Sequence, residues 1–134
     1  MLSSRSAQAF RAAVEAHDLD AVVDLLASDV VLHSPVTFRP YVGRETVGTL
    51  LRLIADTFED FRYTDELQGV EGTHALVFRA RVGDRELEGV DLLRLDDDGL
   101  VADLTAIIRP LSGLAALAQA MGPRAQAAGL GTAM

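Results

Sequence analysis

The sequence predicts an α+β fold, a strongly curved antiparallel sheet with N-terminal helices closing a conical pocket. Three observations carry this. Between Ala7 and Phe58 the apolar residues recur mainly at helical spacing. One short apolar run, Val30 to Ser34, interrupts them. Beyond Asp60 the period changes to two, through four consecutive β segments separated by turn residues. Helices followed by a run of strands pack on one face of a sheet. A curved sheet covered in this way makes a cone with an apolar interior and one mouth, a natural small-molecule site.

The elements follow in order. Ala7 to His17 is helical, with Phe10 and Val14 at i, i+4. A second helix starts after Asp18, a side chain suited to capping, and Leu19, Val22, Val23 and Leu26 form its stripe. Val30 to Ser34 is a strand stopped by Pro35. After Gly43 a third helix carries Val47, Leu50, Leu51, Ile54 and Phe58 on one face. The β half reads as "FRYTDELQGVEG", "THALVFRARV", "LEGVDLLRL" and "LVADLTAIIR", with turns at Glu71-Gly72, Gly83-Asp84 and Asp98-Gly99. Ser112 is placed to cap a last helix that Gly122-Pro123 ends. Residues 1–121 are thus expected to form a single domain, and 122–134, rich in Ala and Gly, a flexible tail.

Composition excludes several function classes. The chain has 134 residues and 49% hydrophobic residues, enough for one sizeable core. There is no cysteine, so disulfides, thiolate catalysis and zinc–sulfur sites are out. The net charge of −8 argues against nucleic acid and anionic membranes as partners. No apolar run reaches the roughly 18 residues of a membrane span, and "MLSSRSAQAF" lacks the apolar core of a signal peptide. The expected location is the cytoplasm. His17, His33 and His74 are scattered and Asp96-Asp97-Asp98-Gly99 lacks calcium-loop spacing, so neither a metal nor any other cofactor is expected.

Strand alternation nominates the polar groups of the pocket. Leu87, Gly89, Asp91, Leu93 and Leu95 share one face, which puts one carboxyl in an apolar row. Unpartnered in a dry pocket, Asp91 would be pushed toward its neutral form and become an O–H donor. Alternatively it pairs with Arg79 or Arg81, or lies at a wet edge. Leu104, Ala106 and Ile108 form a clean apolar face on the last strand, opposite Asp103, Thr105 and Arg109. Asp103 and Arg109 read as outer-face ion pairs or dimer contacts. The direction of His33 stays open: alternation turns it away from Ser34, whereas a bend at Pro35 would bring it inward. Tyr41 and Phe38 flank the mouth, where Tyr41 either hydrogen-bonds a ligand or covers the core.

The segments "HDLDAVVDLLASDVVLHSPV", "GRETVGTLL" and "GVDLLRLDDDGLVADLTAII" resemble, in order and spacing, the nuclear transport factor 2-like superfamily, which includes ketosteroid isomerases and SnoaL-like polyketide cyclases. The resemblance runs from Phe10 to Arg109. It implies a cystatin-like cone and a homodimer formed through the outer sheet face. Ketosteroid isomerases use a Tyr and a protonated Asp to hold an enolate, and an Asp base to move the proton. On this chain the resemblance puts the Tyr at Phe10, the base at Ser34 and the protonated Asp at Asp91, with a supporting Tyr near Leu51. Phe10 cannot donate a hydrogen bond and Ser34 cannot act as a base at neutral pH, so steroid isomerisation by the family mechanism is not expected. Limonene epoxide hydrolase resembles the same fold, but its Asp-Arg-Asp set would fall on Arg81, Arg79 and Ala106. SnoaL-like cyclases work with a single acid/base residue and no cofactor, which here implies Asp91 or Asp103.

The expected pocket is lined by Phe10, Val14, Leu32, Ser34, Tyr41, Val47, Leu51, Leu104, Ala106 and Ile108, with Asp91 and His33 as the candidate catalytic groups. Its ligand is a small, mostly apolar molecule with a carbonyl or hydroxyl. Two readings remain: a cofactor-free isomerase, cyclase or dehydratase, or a non-catalytic binding or interaction module that has lost its base.

Overall fold

The structure is a computed structural model and describes residues 2–130. The elements are α1 (Leu2–Glu15), α2 (Leu19–Asp24), β1 (Leu26–His33), β2 (Tyr41–Val42), α3 (Arg44–Thr57), β3 (Glu59–Gln68), β4 (Thr73–Val82), β5 (Arg85–Leu95), β6 (Val101–Arg109) and α4 (Leu111–Ala127). One curled sheet runs in the order β2-β1-β6-β5-β4-β3. The α+β class and the cone are as expected. The sheet is mixed, however, because β1 lies parallel to β6. The predicted run of four antiparallel strands is β3 to β6.

The turns work as their residues predict. Glu71 and Gly72 both have positive φ, 53° and 78°, and Thr73 N–H donates back to Val70 O. Asp96 Oδ1 accepts from the N–H groups of Asp98 and Leu100, at 2.9 and 3.0 Å, so the acidic run is a self-satisfied turn. Register shifts in the β3–β4 ladder, one between Tyr63 and Asp65, bend β3 over the inner face.

Several boundaries differ from the reading of the sequence: α1 already starts at Leu2, and β3 runs from Glu59 to Gln68. Leu26 begins β1 rather than ending α2: helix α2 stops at Asp24, and the Leu26 carbonyl is held by Arg44 Nε and a terminal guanidinium nitrogen at 3.0 and 2.7 Å. The last helix does not stop at Gly122-Pro123 but continues to Ala127. Proline costs α4 one backbone hydrogen bond. Burial of Met121 and Ala125 offsets that loss, as do the contacts of Thr57, whose hydroxyl accepts from Arg124, donates to the Leu53 carbonyl at 2.8 Å and lies 3.3 Å from Met121 Sδ. Ser112 lies within the first turn, and the N-cap is Pro110. The first six residues of the expected flexible tail, Gly122 to Ala127, are therefore helical, and residues 131–134 lie outside the described residues.

The core lies between the sheet's inner face and the helices. Alternation sends Leu87, Leu93 and Leu95 of β5, Leu76, Phe78 and Ala80 of β4, and Leu104 of β6 inward, all buried. Val47 of α3 is fully buried in this core and does not line the cavity, contrary to expectation, because its turn of α3 packs against β1. Gly89 is required by packing: a Cβ there would sit 2.3 Å from Cζ of Phe78, so its absence lets the Phe78 ring lie across β5. Among the described residues no helix is long and apolar enough to cross a membrane.

Candidate functional site

The cone encloses a cavity of about 490 Å³. Every residue expected to line it apart from Val47 does so. Phe10 and Val14 come from α1, Leu32 from the inward face of β1 and Ser34 from just past its end. Tyr41 comes from β2, Leu51 from α3, and Leu104, Ala106 and Ile108 from β6. Leu117, Met121 and Ala125 of α4 close it as well, so the C-terminal helix shares the role expected of the N-terminal ones. On one side the wall is aromatic: Phe61 stacks on Phe78 at 5.1 Å between ring centres and meets Tyr63 edge-on at 5.0 Å.

Asp91 projects from β5 into this wall, between its cross-strand neighbours Leu76 and Ala106. It pairs with neither Arg79 nor Arg81. Arg79 bonds Glu88 at 3.2 Å, and Arg81 bonds Glu59 and Asp60 at 3.1 and 2.7 Å. The partner of Asp91 is Tyr63, whose hydroxyl donates to Oδ2 at 2.9 Å. Burial pushes the Asp91 carboxyl up from an ordinary value near 4 to about 7, while the Tyr63 hydrogen bond works against that rise. The Tyr63 phenol is itself driven well above its ordinary range, first by burial and then by the neighbouring Asp91 charge.

Tyr63 was missed from the sequence. It and Phe61 share a face of the strand "FRYTDELQ" by simple alternation, which marks the pair as inward. Nothing local says that Tyr63 reaches across β4 to Asp91. That is set by the register of β3 on β4 and of β4 on β5, which places Tyr63 opposite Phe78 and Phe78 opposite Gly89.

His33 does not join the site. Pro35 lines the cavity, but the bend there leaves His33 on the outer face, where its Nε2 lies 3.2 Å from Asp103 Oδ2. Thr105 donates to the other Asp103 oxygen at 3.4 Å, and Arg109 bonds Glu88. The physical reason is alternation: Leu32 and Ser34 take the inward positions on either side of His33. Asp103 is excluded from the cavity for the same reason, which leaves Asp91 as the inward member of the two acids considered. Ser34 accepts a hydrogen bond from Val36 N–H at 3.0 Å and so holds its own loop. Phe38 is 97% exposed beside the mouth. Among the described residues no group of three His, Cys, Asp or Glu side chains could hold a metal.

The site is thus an acid set in the apolar wall of a curled α+β cone. The SnoaL-like domain family model matches residues 7–104, and the chain belongs to that family, within the nuclear transport factor 2-like superfamily. Among solved structures it is similar to a steroid delta-isomerase from Pseudomonas aeruginosa, with 36% identity, a TM-score of 0.90, and coverage of 98% of this chain and 96% of that one. It is also similar to an uncharacterised bacterial protein with a cystatin-like fold from Silicibacter pomeroyi, at 30% identity and a TM-score of 0.85, covering 90% and 85% of the two chains. An NTF2-like protein of unknown function from Mesorhizobium loti shares the fold at 19% identity, with a TM-score of 0.71 over 81% of this chain and 92% of that one. No curated protein gives a significant match.

Proposed function

We propose that the cavity binds a small, mostly apolar molecule bearing a carbonyl or hydroxyl, and that Asp91 exchanges a proton with it in cofactor-free isomerase- or cyclase-type chemistry. The observation that supports this is the Asp91 carboxyl, standing in an apolar wall and brought to about 7, where an acid serves both to give and to take a proton near neutral pH. The cavity has the size of ordinary small-ligand sites. A structural neighbour at 36% identity is called a steroid delta-isomerase. This chain carries Phe10 and Ser34 where the resemblance places that family's Tyr and Asp base, so the proposed chemistry rests on Asp91 alone.

A second reading, a binding module without catalysis, is favoured by Ser34. Its hydroxyl is engaged with Val36 and supplies no base at the position where relatives carry one. In either case we propose a homodimer through the outer sheet face, where Ile107 and Val42 are 56% and 59% exposed. Native mass spectrometry of the purified protein tests both points. The expected species is a dimer that retains a small neutral molecule and releases it on collisional activation. A strictly monomeric species would sink the dimer. For the cavity, the decisive measurement is binding of naphthalene-sized probes, and absence of binding by any of them would sink the ligand reading.

A further inference from the structure

The cavity holds a carboxyl to which the protein gives no counter-charge. The chain carries 12 basic Arg and Lys residues, and among the described residues none of them lines the cavity. The arginines beside its rim are engaged elsewhere. Arg11 bonds Glu15 and Glu66 at 3.5 and 3.2 Å, and Arg81 bonds Glu59 and Asp60. Asp91 has the Tyr63 hydroxyl on Oδ2, and its Oδ1 bonds no described residue. Two causes act on its titration, burial and that hydrogen bond, and no cation is among them. The wall beside it is aromatic: Phe58, Phe61, Tyr63 and Phe78 form a chain of rings with neighbouring centres 5.0 to 5.7 Å apart. Ring faces attract cations, most strongly where water is excluded. An ammonium suits both features, with N–H donors for a carboxylate and a charge for the rings. We infer that the cavity also takes a cationic amine, whose ammonium donates to Asp91 Oδ1 while its apolar body lies along the aromatic wall. This goes beyond the carbonyl or hydroxyl ligand proposed above, and rests on the cavity being a ligand site rather than on proton exchange.

A lone carboxylate in an apolar wall is costly, and a paired one much less so. A bound ammonium is the missing partner and favours the charged carboxylate, so below the Asp91 midpoint amine binding must release a proton. An anionic ligand meets the opposite situation, a like charge at Asp91 and no cation on the wall. Few other groups compete. Toward Asp91, β6 presents Leu104, Ala106 and Ile108, and the lining residues of α3 and α4 carry no ionisable group. On β4, His74 is buried on the inner face. On β3, Glu66 bonds Arg11 of α1, which stands over the Tyr63 ring at 5.9 Å. The remaining ionisable lining residues are Glu15, His17, Tyr41 and Asp60. Glu15 and Asp60 each already face an arginine, so the carboxyl left for a ligand cation is Asp91.

The test uses three probes of similar shape: 2-(aminomethyl)naphthalene, a cation, 2-ethylnaphthalene, neutral, and 2-naphthylacetate, an anion. Their affinities are measured by calorimetry from pH 5.5 to 8 in buffers of different ionisation enthalpy. At pH 8 the amine is expected to bind about tenfold or more tighter than the hydrocarbon, and the anion weakest of the three. Below the midpoint, amine affinity should fall about tenfold per pH unit, with release of one proton on binding. Hydrocarbon affinity stays flat. Asp91→Asn should abolish the preference for the amine and leave hydrocarbon binding intact, which also shows that the variant folds. Glu15→Gln and Asp60→Asn should keep the preference. Its loss in these rim variants but not in Asp91→Asn would overturn the assignment to Asp91. A hydrocarbon that binds as tightly as the amine at pH 8 would overturn the inference while sparing the pocket. If no probe binds at any pH, the ligand reading itself falls, and this inference with it.

Discussion

Asp91 and Asp103 lie on neighbouring antiparallel strands, close in the sheet and on opposite faces. Asp91 faces the cavity, bonds one phenol, and has its carboxyl raised to about 7 by burial. Asp103 faces outward with its side chain 37% exposed, beside His33 and Thr105. One residue type in one sheet thus meets two solvents. The inner face makes each polar group expensive and therefore chemically distinctive. The outer face lets charges be solvated and paired at little net gain.

The largest effect should come from disturbing the packing that makes the inner face dry. Gly89→Val would drive a side chain into Phe78 and toward the Ile107 carbonyl, which lies 2.9 Å from the ideal Cβ position. The expected cost is on the order of 4 kcal/mol in urea unfolding, or failure to fold. The same side chain is already present one residue on, at Val90, which faces outward. If Gly89→Val unfolds like the parent, the inner face is not tightly packed and the contrast is lost.

An intermediate effect concerns the buried acid. The folded Asp91 titrates above its unfolded value, so the folded chain holds more protons between about pH 4 and pH 7. Stability contributed by this group therefore falls as pH rises through that window and levels off above it. Relative to Asp91→Asn, the parent should lose on the order of 3 kcal/mol between pH 5 and pH 8. Parallel slopes for the two proteins would mean that Asp91 is solvated like Asp103.

The smallest effect should come from the outer pair. Removing it with His33→Ala or Asp103→Asn is expected to change stability by less than about 1 kcal/mol, and less still at high salt. Probe binding in the cavity should be unchanged. A change in probe affinity in either variant would couple the outer pair to the site and erase the distinction drawn here.

Much of this could be read from the chain. The switch from helical spacing to alternation located the elements, and the Asp98-Gly99 and Glu71-Gly72 signals located the turns. Alternation also placed Asp91 inward with Leu104, Ala106 and Ile108, and it turned His33 away wherever Ser34 faced in. The misread parts have local causes. Leu26 suits the stripe of a helix and the first position of a strand equally well. Gly122-Pro123 is a helix stop that Met121, Ala125 and the Thr57 contacts override.

These successes share a physical reason: side-chain direction along a strand and turn chemistry depend on neighbours in sequence, so the apolar face and the acid within it were legible before any folding was known. Whether that acid would be paired, and by what, was settled by tertiary structure alone. Tyr63 and Asp91 are separated by 28 residues and by the intervening strand β4. Their meeting follows from the β3–β4–β5 register, which sets Tyr63 opposite Phe78 and Phe78 opposite Gly89, two residues from Asp91, and no local pattern encodes that register. The acid was written in the alternation; its partner, and its rise toward neutral pH, came from register and burial.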